Sequence, residues 1–479
     1  MTTFLGLDLG TSSLKAILID ENDALLAEHS VPLTVSRPHD GCSEQDPRAW
    51  ETAAEAAIAA VAAKADCSGL AGIGLSGHMH GATLLGRDGA PLRPCMMWND
   101  TRAGDQAARM DADPRFRAIT GNIVFPGFTA PKVDWVRETE PEIFDKIDKV
   151  LLPKDYLRFW LTGEAVSEMS DAAGTSWLDT GARDWSDDLL AACRLSRGQM
   201  PRLAEGSEVT GTLRAELAQR WGLPQVPIAG GAGDNAAAAI GAGVVKDGQA
   251  FLSLGTSGVL FAANAGYRPD PASAVHAFCH AVPGTWHQMG VILAATDALE
   301  WLSRLTGRSA AELTSGLGDL RAPGRVLFLP YLGGERTPHN DANIRGQFLN
   351  LDHATDATEA ARAVLEGVAH AFVDSRDALA DTGTQITRAL ALGGGTRSSY
   401  WLDLLASALG VPLDVPQAGD FGAALGAARL GRMAATGAGA EIATPPPVAC
   451  THDPNPALAD PLAQAQARYR AAYHKLKDL

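Results

Sequence analysis

Short apolar runs that end in glycine turns recur along the chain, and the first pair lies at its beginning. Residues 3–9 and 14–19 are predominantly apolar, and a G-T-S-S segment at 10–13 separates them. Two such runs joined by a short turn of glycine and hydroxyl residues predict a β-hairpin. The first run contains Asp8, and an acid inside a buried strand costs several kcal/mol unless it is paired, hydrated or bound to a metal. Asp8 is therefore a candidate functional residue.

A second pattern joins an apolar run, a glycine turn and an alanine-rich helix at 228–240, I-A-G-G-A-G-D-N-A-A-A-A-I. Glycine suits a sharp turn because it has no side chain and adopts backbone conformations that other residues avoid. Asp234 and Asn235 then fall at the start of the helix, where a carboxylate can cap the backbone or face a ligand. Alone, the stretch is typical of a helix cap. With the rest of the chain, it favours Asp234 as a catalytic base.

A strand near residues 70–75 leads into the loop S-G-H-M-H-G at 76–81. His78 and His80 would share one face if the loop is extended. A metal needs more than these two ligands and no third follows nearby, so a hydrogen bond to a polyol is the favoured role.

The stretch M-W-N-D-T-R at 97–102 contains Trp98, whose indole face can pack against the C–H surface of a sugar. The structural alternative is a buried tryptophan beside an ion pair between Asp100 and Arg102.

The hairpin sequence is repeated. L-D-L-G-T-S-S at 7–13 recurs as L-S-L-G-T-S-G at 252–258. The repeat predicts two similar halves, each opening on a hairpin. If a pseudo-two-fold axis relates the halves, the two turns face each other and can hold one polyphosphate. Ser253 replaces Asp8 in the second copy, which fits a single metal-associated site between two backbone cradles.

A third glycine turn follows the apolar run at 389–392. The triple glycine at 393–395 precedes a helix that starts near Tyr400, a unit suited to close backbone approach by a nucleotide. Residues 420–428 predict the start of another helix, built from small residues that allow tight packing.

Composition narrows the classes of function. The 479 residues suffice for about two to four domains. A net charge of −16 argues against a nucleic-acid or anionic-membrane surface, and no apolar run approaches the roughly 18 residues that span a bilayer. The six cysteines include no C-x-x-C pair, and no basic-then-apolar leader is present. We therefore expect free thiols in a reducing cytoplasm.

Taken together, the motifs resemble the FGGY carbohydrate kinases of the actin and hexokinase superfamily over essentially the whole chain. The resemblance implies an α/β fold of two actin- or ribonuclease-H-like domains, each a mixed five-stranded sheet with helices on both faces, around a central cleft. It assigns sugar binding to residues 1–243 and nucleotide binding to residues 244–479. The motifs that carry it are D-L-G-T-S-S at 8–13, G-H-M-H-G at 77–81, W-N-D-T-R at 98–102, G-D-N at 233–235, L-G-T-S-G at 254–258, G-E-R-T-P at 334–338 and G-G-G at 393–395.

The resemblance also implies roles. Asp234 is the expected base and Asp8 the residue of the metal and phosphate region. ATP is the implied phosphoryl donor, Mg²⁺ the implied cofactor and a ketopentose, D-xylulose, the implied acceptor. The predicted substrate-binding residues are Met79, His80, Trp98, Asp234 and Asn235. The predicted ATP-binding residues are Gly10, Thr11, Ser12, Ser13, Gly255, Thr256, Gly394, Gly395 and Ser398.

Other interpretations stay open. His78 stands where members acting on xylulose usually have glutamine, a departure within the predicted pocket. Kinases of ribulose, gluconate or glycerol are the nearest alternatives, although glycerol kinases typically show Arg-Glu where this chain has Met79 and His80. A non-catalytic sugar or ATP sensor is disfavoured by the presence of both Asp8 and Asp234. A homodimer is implied by the resemblance alone, and no nucleic-acid or membrane partner is expected.

Overall fold

Two sheets organise the protein, and each opens on one of the predicted hairpins. The computed structural model describes residues 1–417 and 422–478. The first sheet contains β1 Thr3–Leu9, β2 Ser13–Asp20, β3 Leu25–Pro32, β4 Leu70–Gly77, β5 Val209–Thr212, β6 Pro227–Ala229 and β7 Ala232–Gly233. The second contains β8 Ala250–Leu254, β9 Gly258–Asn264, β10 His276–Cys279, β11 Trp286–Ile292, β12 Ala389–Leu392, β13 Leu413–Pro416 and β14 Val448–His452.

The two sheets have the same internal order, so the repeat predicted from the sequence is confirmed. In the first, β3, β2 and β1 are antiparallel neighbours, and β4 and then β6 continue parallel to β1. In the second, β11, β9 and β8 are antiparallel, and β12 and then β13 continue parallel to β8. These five strands in each half correspond to the expected mixed core.

The expectation of five strands per sheet was nevertheless wrong in number, because each sheet has seven strands within the described residues. In the first, β5 pairs with β6 and the two-residue β7 pairs with β4; in the second, β10 and β14 are added at the two ends. The strands β5, β10 and β14 pair with the end strands of the cores and satisfy backbone groups that would otherwise be unpaired, whereas β7 pairs with the interior strand β4. The short β7 and the largely exposed β14 lack the buried apolar pattern that identifies a strand in a sequence.

Helices and short ribbons cover the sheets. The helices are α1 Pro47–Ala62, α2 Gly104–Asp111, α3 Pro114–Thr120, α4 Thr129–Thr139, α5 Pro141–Phe144, α6 Pro153–Thr162, α7 Met169–Ala172, α8 Asp187–Ala192, α9 Ala215–Trp221, α10 Asp234–Ala242, α11 Thr296–Thr306, α12 Ala310–Ser315, α13 Ala357–Asp381, α14 Ser399–Leu409, α15 Ala423–Thr436 and α16 Ala459–Leu476. The two-stranded ribbons pair Glu44–Gln45 with Cys95–Met96, Thr83–Leu85 with Lys149–Leu151, Val166–Glu168 with Arg202–Ala204, Leu178–Asp179 with Asp184–Trp185, and Leu327–Leu329 with Gln347–Leu349.

One helix of the second half packs on the sheet of the first. The predicted small-residue helix is α15, which begins at Ala423, whereas Asp420 and Phe421 of the prediction lie outside the described residues. Its backbone approaches β4 so closely that a Cβ added to Gly74 would lie 1.8 Å from the Ala427 carbonyl oxygen. The predicted boundary at residues 243 and 244 falls between the two sheets, but α15 joins the halves across it.

Within the described ranges 1–417 and 422–478, none of the helices combines the length and the apolar composition that crossing a bilayer requires.

Candidate active site

Asp234 is the first residue of α10, at the end of the glycine turn. Gly231 has a φ of +84°, and a Cβ there would lie 2.3 Å from the Leu75 carbonyl oxygen, so the turn needs glycine at this position. The helix cap is Gly233 rather than Asp234, and the Asp234 side chain is partly buried. Its Oδ1 accepts hydrogen bonds from the backbone N–H and side-chain amide of Asn235, at 2.7 and 3.0 Å.

The other carboxylate oxygen of Asp234, Oδ2, accepts no hydrogen bond from the residues that the structure describes. Burial and, next in size, the negative charge of Asp8 together raise the pKa of Asp234 to about 6, against the Asn235 hydrogen bonds, which lower it. A carboxylate with its pKa near working pH and one oxygen available can accept a proton from a bound alcohol.

Asp8 lies close enough to Asp234 for its charge to act on that group. The parallel register of β1 and β4 places Asp8 opposite Ser76, and the Ser76 hydroxyl donates to Asp8 Oδ1 over 2.7 Å. No set of three or more His, Cys, Asp or Glu side chains within the described part of the chain is arranged to hold a metal ion.

The loop after β4 carries Met79 to the glycine turn that precedes Asp234. A Cβ added to Gly233 would lie 2.8 Å from Met79 Cγ, so the absence of a side chain at 233 makes room for this methionine. The contact brings a residue predicted for the sugar pocket next to the candidate base.

His80 is held in one orientation. Its ring stacks on Phe128 with centroids 4.3 Å apart, and its Nδ1 lies 2.7 Å from the Gly174 carbonyl oxygen. A carbonyl only accepts, so Nδ1 carries the proton, and Nε2 is the acceptor nitrogen of the neutral ring. Burial lowers the pKa of His80 to about 3, which keeps the ring neutral. A Cβ at Gly174 would lie 2.5 Å from this ring.

His78 does not share this environment. It is 2% exposed, and its ring meets Trp50 edge-on with centroids 5.8 Å apart. Neither ring nitrogen has a hydrogen-bond partner among the residues that the structure describes. That residue 78 belongs to the sugar pocket stays a prediction; its ring lies against Trp50, whereas the His80 ring stacks on Phe128.

Trp98 is 48% exposed, and its indole N–H donates to the Thr11 hydroxyl over 3.0 Å. The Thr11 carbonyl accepts a hydrogen bond from the Gln45 side chain at 2.8 Å. The ion pair between Asp100 and Arg102 is also formed, with Asp100 fully buried. Trp98 is thus accessible to a ligand while its hydrogen bond holds it to the first hairpin turn. No local pattern in the sequence predicts the contact between Gln45 and Thr11.

The second hairpin turn packs against the triple glycine. The Gly255 carbonyl accepts from the backbone N–H and hydroxyl of Thr296, at 2.9 and 2.8 Å. Gly393 has a φ of +92°, and a Cβ on Gly395 would lie 2.8 Å from Leu254 Cβ. Glycine is required at both positions to bring the two turns together.

A cavity of about 950 Å³ opens beside these turns. Four residues predicted for ATP are among those that line it: Thr256, Gly394, Gly395 and Ser398. Small-molecule sites typically measure about 300–1,000 Å³, so the cavity has the size of a nucleotide pocket. The first turn, closed by a hydrogen bond from the Gly10 N–H to the Ser13 carbonyl at 3.0 Å, belongs to the other sheet.

Two groups of residues at the site were missed by the sequence analysis. Ser170 Oγ accepts the Gly233 N–H at 3.1 Å. Lys154 is fully buried beside the same turn, where its Cδ would lie 3.3 Å from a Cβ on Gly231, and it pairs with Asp155 at 2.6 Å. From the second half, the Arg336 guanidinium lies 3.7 Å from the Phe125 ring centroid, within the aromatic cluster around Phe128. These contacts join residues far apart in the sequence, so the G-E-R-T-P motif at 334–338 could mark Arg336 but not its partner.

Comparison with known families agrees with this geometry. Residues 3–241 match the N-terminal domain, and residues 250–435 the C-terminal domain, of the FGGY family of carbohydrate kinases. The chain belongs to that family. It is 50% identical over 435 residues to the xylulose kinase of Escherichia coli K12, with 90% of each chain covered.

Two solved structures show the same fold as this carbohydrate kinase. The crystal structure of a xyloylose kinase from Brucella ovis superposes with a TM-score of 0.98 at 60% identity, covering 99% of both chains. The crystal structure of a gluconate kinase from Lactobacillus acidophilus superposes with a TM-score of 0.94 at 26% identity, covering 99% of this chain and 98% of the other. The two-domain α/β fold expected from the sequence is confirmed.

Proposed function

We propose that the protein transfers the γ-phosphoryl group of ATP to D-xylulose, giving D-xylulose 5-phosphate and ADP. The observation that carries the proposal is Asp234, a partly buried carboxylate with one oxygen available, a pKa of about 6 and the Met79 side chain beside its turn. The choice of sugar rests on the similarity to the xylulose kinase of Escherichia coli K12.

In this proposal Asp234 Oδ2 takes the proton from the sugar hydroxyl that attacks the γ-phosphorus. General-base catalysis of this kind typically contributes about 10² to 10⁴ in rate. The bond from the γ-phosphorus to its bridging oxygen breaks as the new bond to the sugar forms, and ADP leaves. The sugar is oriented by His80, whose Nε2 accepts a hydrogen bond from a second hydroxyl, and by Asn235. Met79 and Trp98 provide apolar surface.

The nucleotide would occupy the cavity beside Thr256, Gly394, Gly395 and Ser398, with its phosphates between the first and second hairpin turns. Gly255 holds the second turn in place through Thr296, while Gly10, Thr11, Ser12 and Ser13 form the first. Backbone N–H groups of such turns suit phosphate oxygens.

The residues present also fit Mg²⁺. This ion usually takes one or two carboxylates and completes its shell with water and substrate phosphates. The Asp8 carboxylate, oriented by Ser76 and close to Asp234, is such a donor. When bound, Mg²⁺ neutralises charge on the β- and γ-phosphates. Asp8 would hold it in the region between the two turns.

An ADP-release assay with D-xylulose, ribulose, gluconate and glycerol tests the substrate, and the Asp234→Asn variant tests the base. We expect the highest kcat/KM with D-xylulose, a loss of at least about 100-fold in kcat for Asp234→Asn, and unchanged ATP affinity. A higher kcat/KM with gluconate would replace D-xylulose as the proposed substrate. Gluconate is a specific alternative because a gluconate kinase has the same fold. No turnover with any of the four would favour the sensor.

The assignment of Asp234 as the base fails separately if Asp234→Asn keeps most of its rate on the preferred sugar.

Two further expectations stay predictions. The cytoplasmic setting is inferred from the unpaired cysteines, and the homodimer is inferred from the family resemblance.

A further inference from the structure

Away from the active site, at the end of the second sheet, a thiol contacts an imidazole, and the imidazole contacts a carboxylate. Cys450 Sγ is 3.8 Å from His452 Nε2, and His452 Nδ1 is 2.6 Å from Asp403 Oδ1. Cys450 and His452 are two residues apart on β14, so their side chains share one face of the strand. Asp403 reaches them from α14.

The hydrogen bonds fix the arrangement of protons. An ionised carboxylate only accepts, so Nδ1 of His452 carries the proton that it donates to Asp403. In the neutral ring, Nε2 then holds a lone pair that faces the Cys450 thiol. The His452 side chain is 13% exposed, which keeps the ring in position, while Cys450 is exposed to solvent. A base oriented by a third group next to a thiol is the arrangement that activates a nucleophile.

The other cysteines differ from Cys450. All six lie within the described residues, and four of them, Cys42, Cys95, Cys193 and Cys279, are buried. Cys67 is partly exposed, but its Sγ lies 3.6 Å from the Ala65 carbonyl oxygen and pairs with no imidazole of the described residues. Burial raises the pKa of this thiol. Cys450 is therefore the one thiol of the six that is both exposed and paired with an imidazole.

We propose that Cys450 is a site of covalent modification by low-molecular-weight disulfides. His452 Nε2 takes the thiol proton, and the Cys450 sulfur attacks one sulfur of the disulfide. A new sulfur–sulfur bond forms as the original one breaks, and the second sulfur leaves as a thiolate that takes up a proton. Asp403 holds the imidazole in the orientation that this transfer needs. No residue of the sugar or nucleotide site takes part.

The test is the reaction of the full-length reduced protein with oxidised glutathione at pH 7, followed by intact mass and peptide mapping. An ordinary thiol is only about 3% thiolate at this pH, so activation can increase the rate up to about 30-fold. A thiolate of lower basicity is a weaker nucleophile, which reduces the gain. We expect a single adduct on Cys450, formed at least about fivefold more slowly in His452→Gln.

Two further variants complete the experiment. Asp403→Asn changes a half-exposed side chain on α14, so it tests the orientation of His452 with little risk to folding. We expect a rate of adduct formation between those of the original protein and His452→Gln. Cys67→Ser should react like the original protein. Equal rates in His452→Gln, Asp403→Asn and the original protein would overturn the proposal, as would an adduct that forms first on Cys67. Kinase activity in each variant verifies that the chain is folded.

Discussion

The indole N–H of Trp98 donates a hydrogen bond to the hydroxyl of Thr11 over 3.0 Å. Trp98 is predicted to contact the sugar, and Thr11 belongs to the turn predicted to hold phosphate. One hydrogen bond thus connects the predicted sugar side of the site with the predicted nucleotide side. The exposed indole face remains available for a ligand.

This connection predicts that Trp98→Phe weakens nucleotide binding more than sugar binding. Phenylalanine keeps an aromatic surface for the sugar but cannot donate to Thr11. A lost hydrogen bond of about 1 kcal/mol corresponds to a factor of about five, so we expect a rise of about that size in the KM for ATP. Steady-state kinetics with each substrate varied measures it. A rise confined to the sugar KM would mean that the Thr11 contact has no role in nucleotide binding.

The pKa of Asp234 predicts the acid limb of the pH–rate profile. A base acts in its ionised form, so kcat/KM should fall about tenfold per pH unit below the pKa of about 6. The Asn235 side chain lowers this pKa by donating to the carboxylate, so Asn235→Ala should move the limb to higher pH. The measurement is the pH at the midpoint of the acid limb. The size of kcat/KM is not used, because Asn235 is also a predicted sugar contact. A limb that stays in place in the variant would contradict this electrostatic account.

His80 predicts a separable effect on the sugar. Removing the imidazole in His80→Ala takes away the acceptor Nε2, so we expect a sugar KM raised about tenfold and an unchanged ATP affinity. Gly174→Ala is the matched variant, since its Cβ would lie 2.5 Å from the ring and displace it without removing it. We expect both variants to raise the sugar KM. An unchanged sugar KM in His80→Ala would remove this residue from the pocket.

The contact between α15 and the first sheet predicts a stability effect. A methyl group at Gly74 would lie 1.8 Å from the Ala427 carbonyl oxygen, so Gly74→Ala should lower the free energy of unfolding by at least about 2 kcal/mol. Gly104 is the control, because its backbone is helical and, outside its own helix backbone and chain neighbours, no atom of the described residues lies within 4 Å of a Cβ there. Gly104→Ala should be neutral or slightly stabilising. Denaturant titration measures the free energy of unfolding of both variants. Equal values would show that α15 shifts to admit the methyl group without loss of stability.

Much of the fold is encoded locally. The hairpin at 3–20 follows from two apolar runs and a turn, and α10 follows from a glycine turn and a run of alanines, so the start of that helix at Asp234 could be predicted. Each of these features depends on backbone preferences over about ten residues. The motif repeat similarly predicted that the second half opens like the first.

The number of strands was less predictable. The short β7 is only two residues long, and β14 is largely exposed, so neither has an apolar pattern. Whether such segments pair depends on which strand lies beside them, and this is decided only after the core has assembled.

The sequence by itself determined the two hairpins, the glycine turns and the placement of Asp234 at a helix start, because the preferences that form them act between near neighbours. Only the tertiary structure decided that Ser76 bonds Asp8, that Met79 reaches Gly233 and that His80 rather than His78 faces Phe128. Those contacts join segments that are distant along the chain. Their geometry comes from strand register and side-chain packing, which no local pattern specifies.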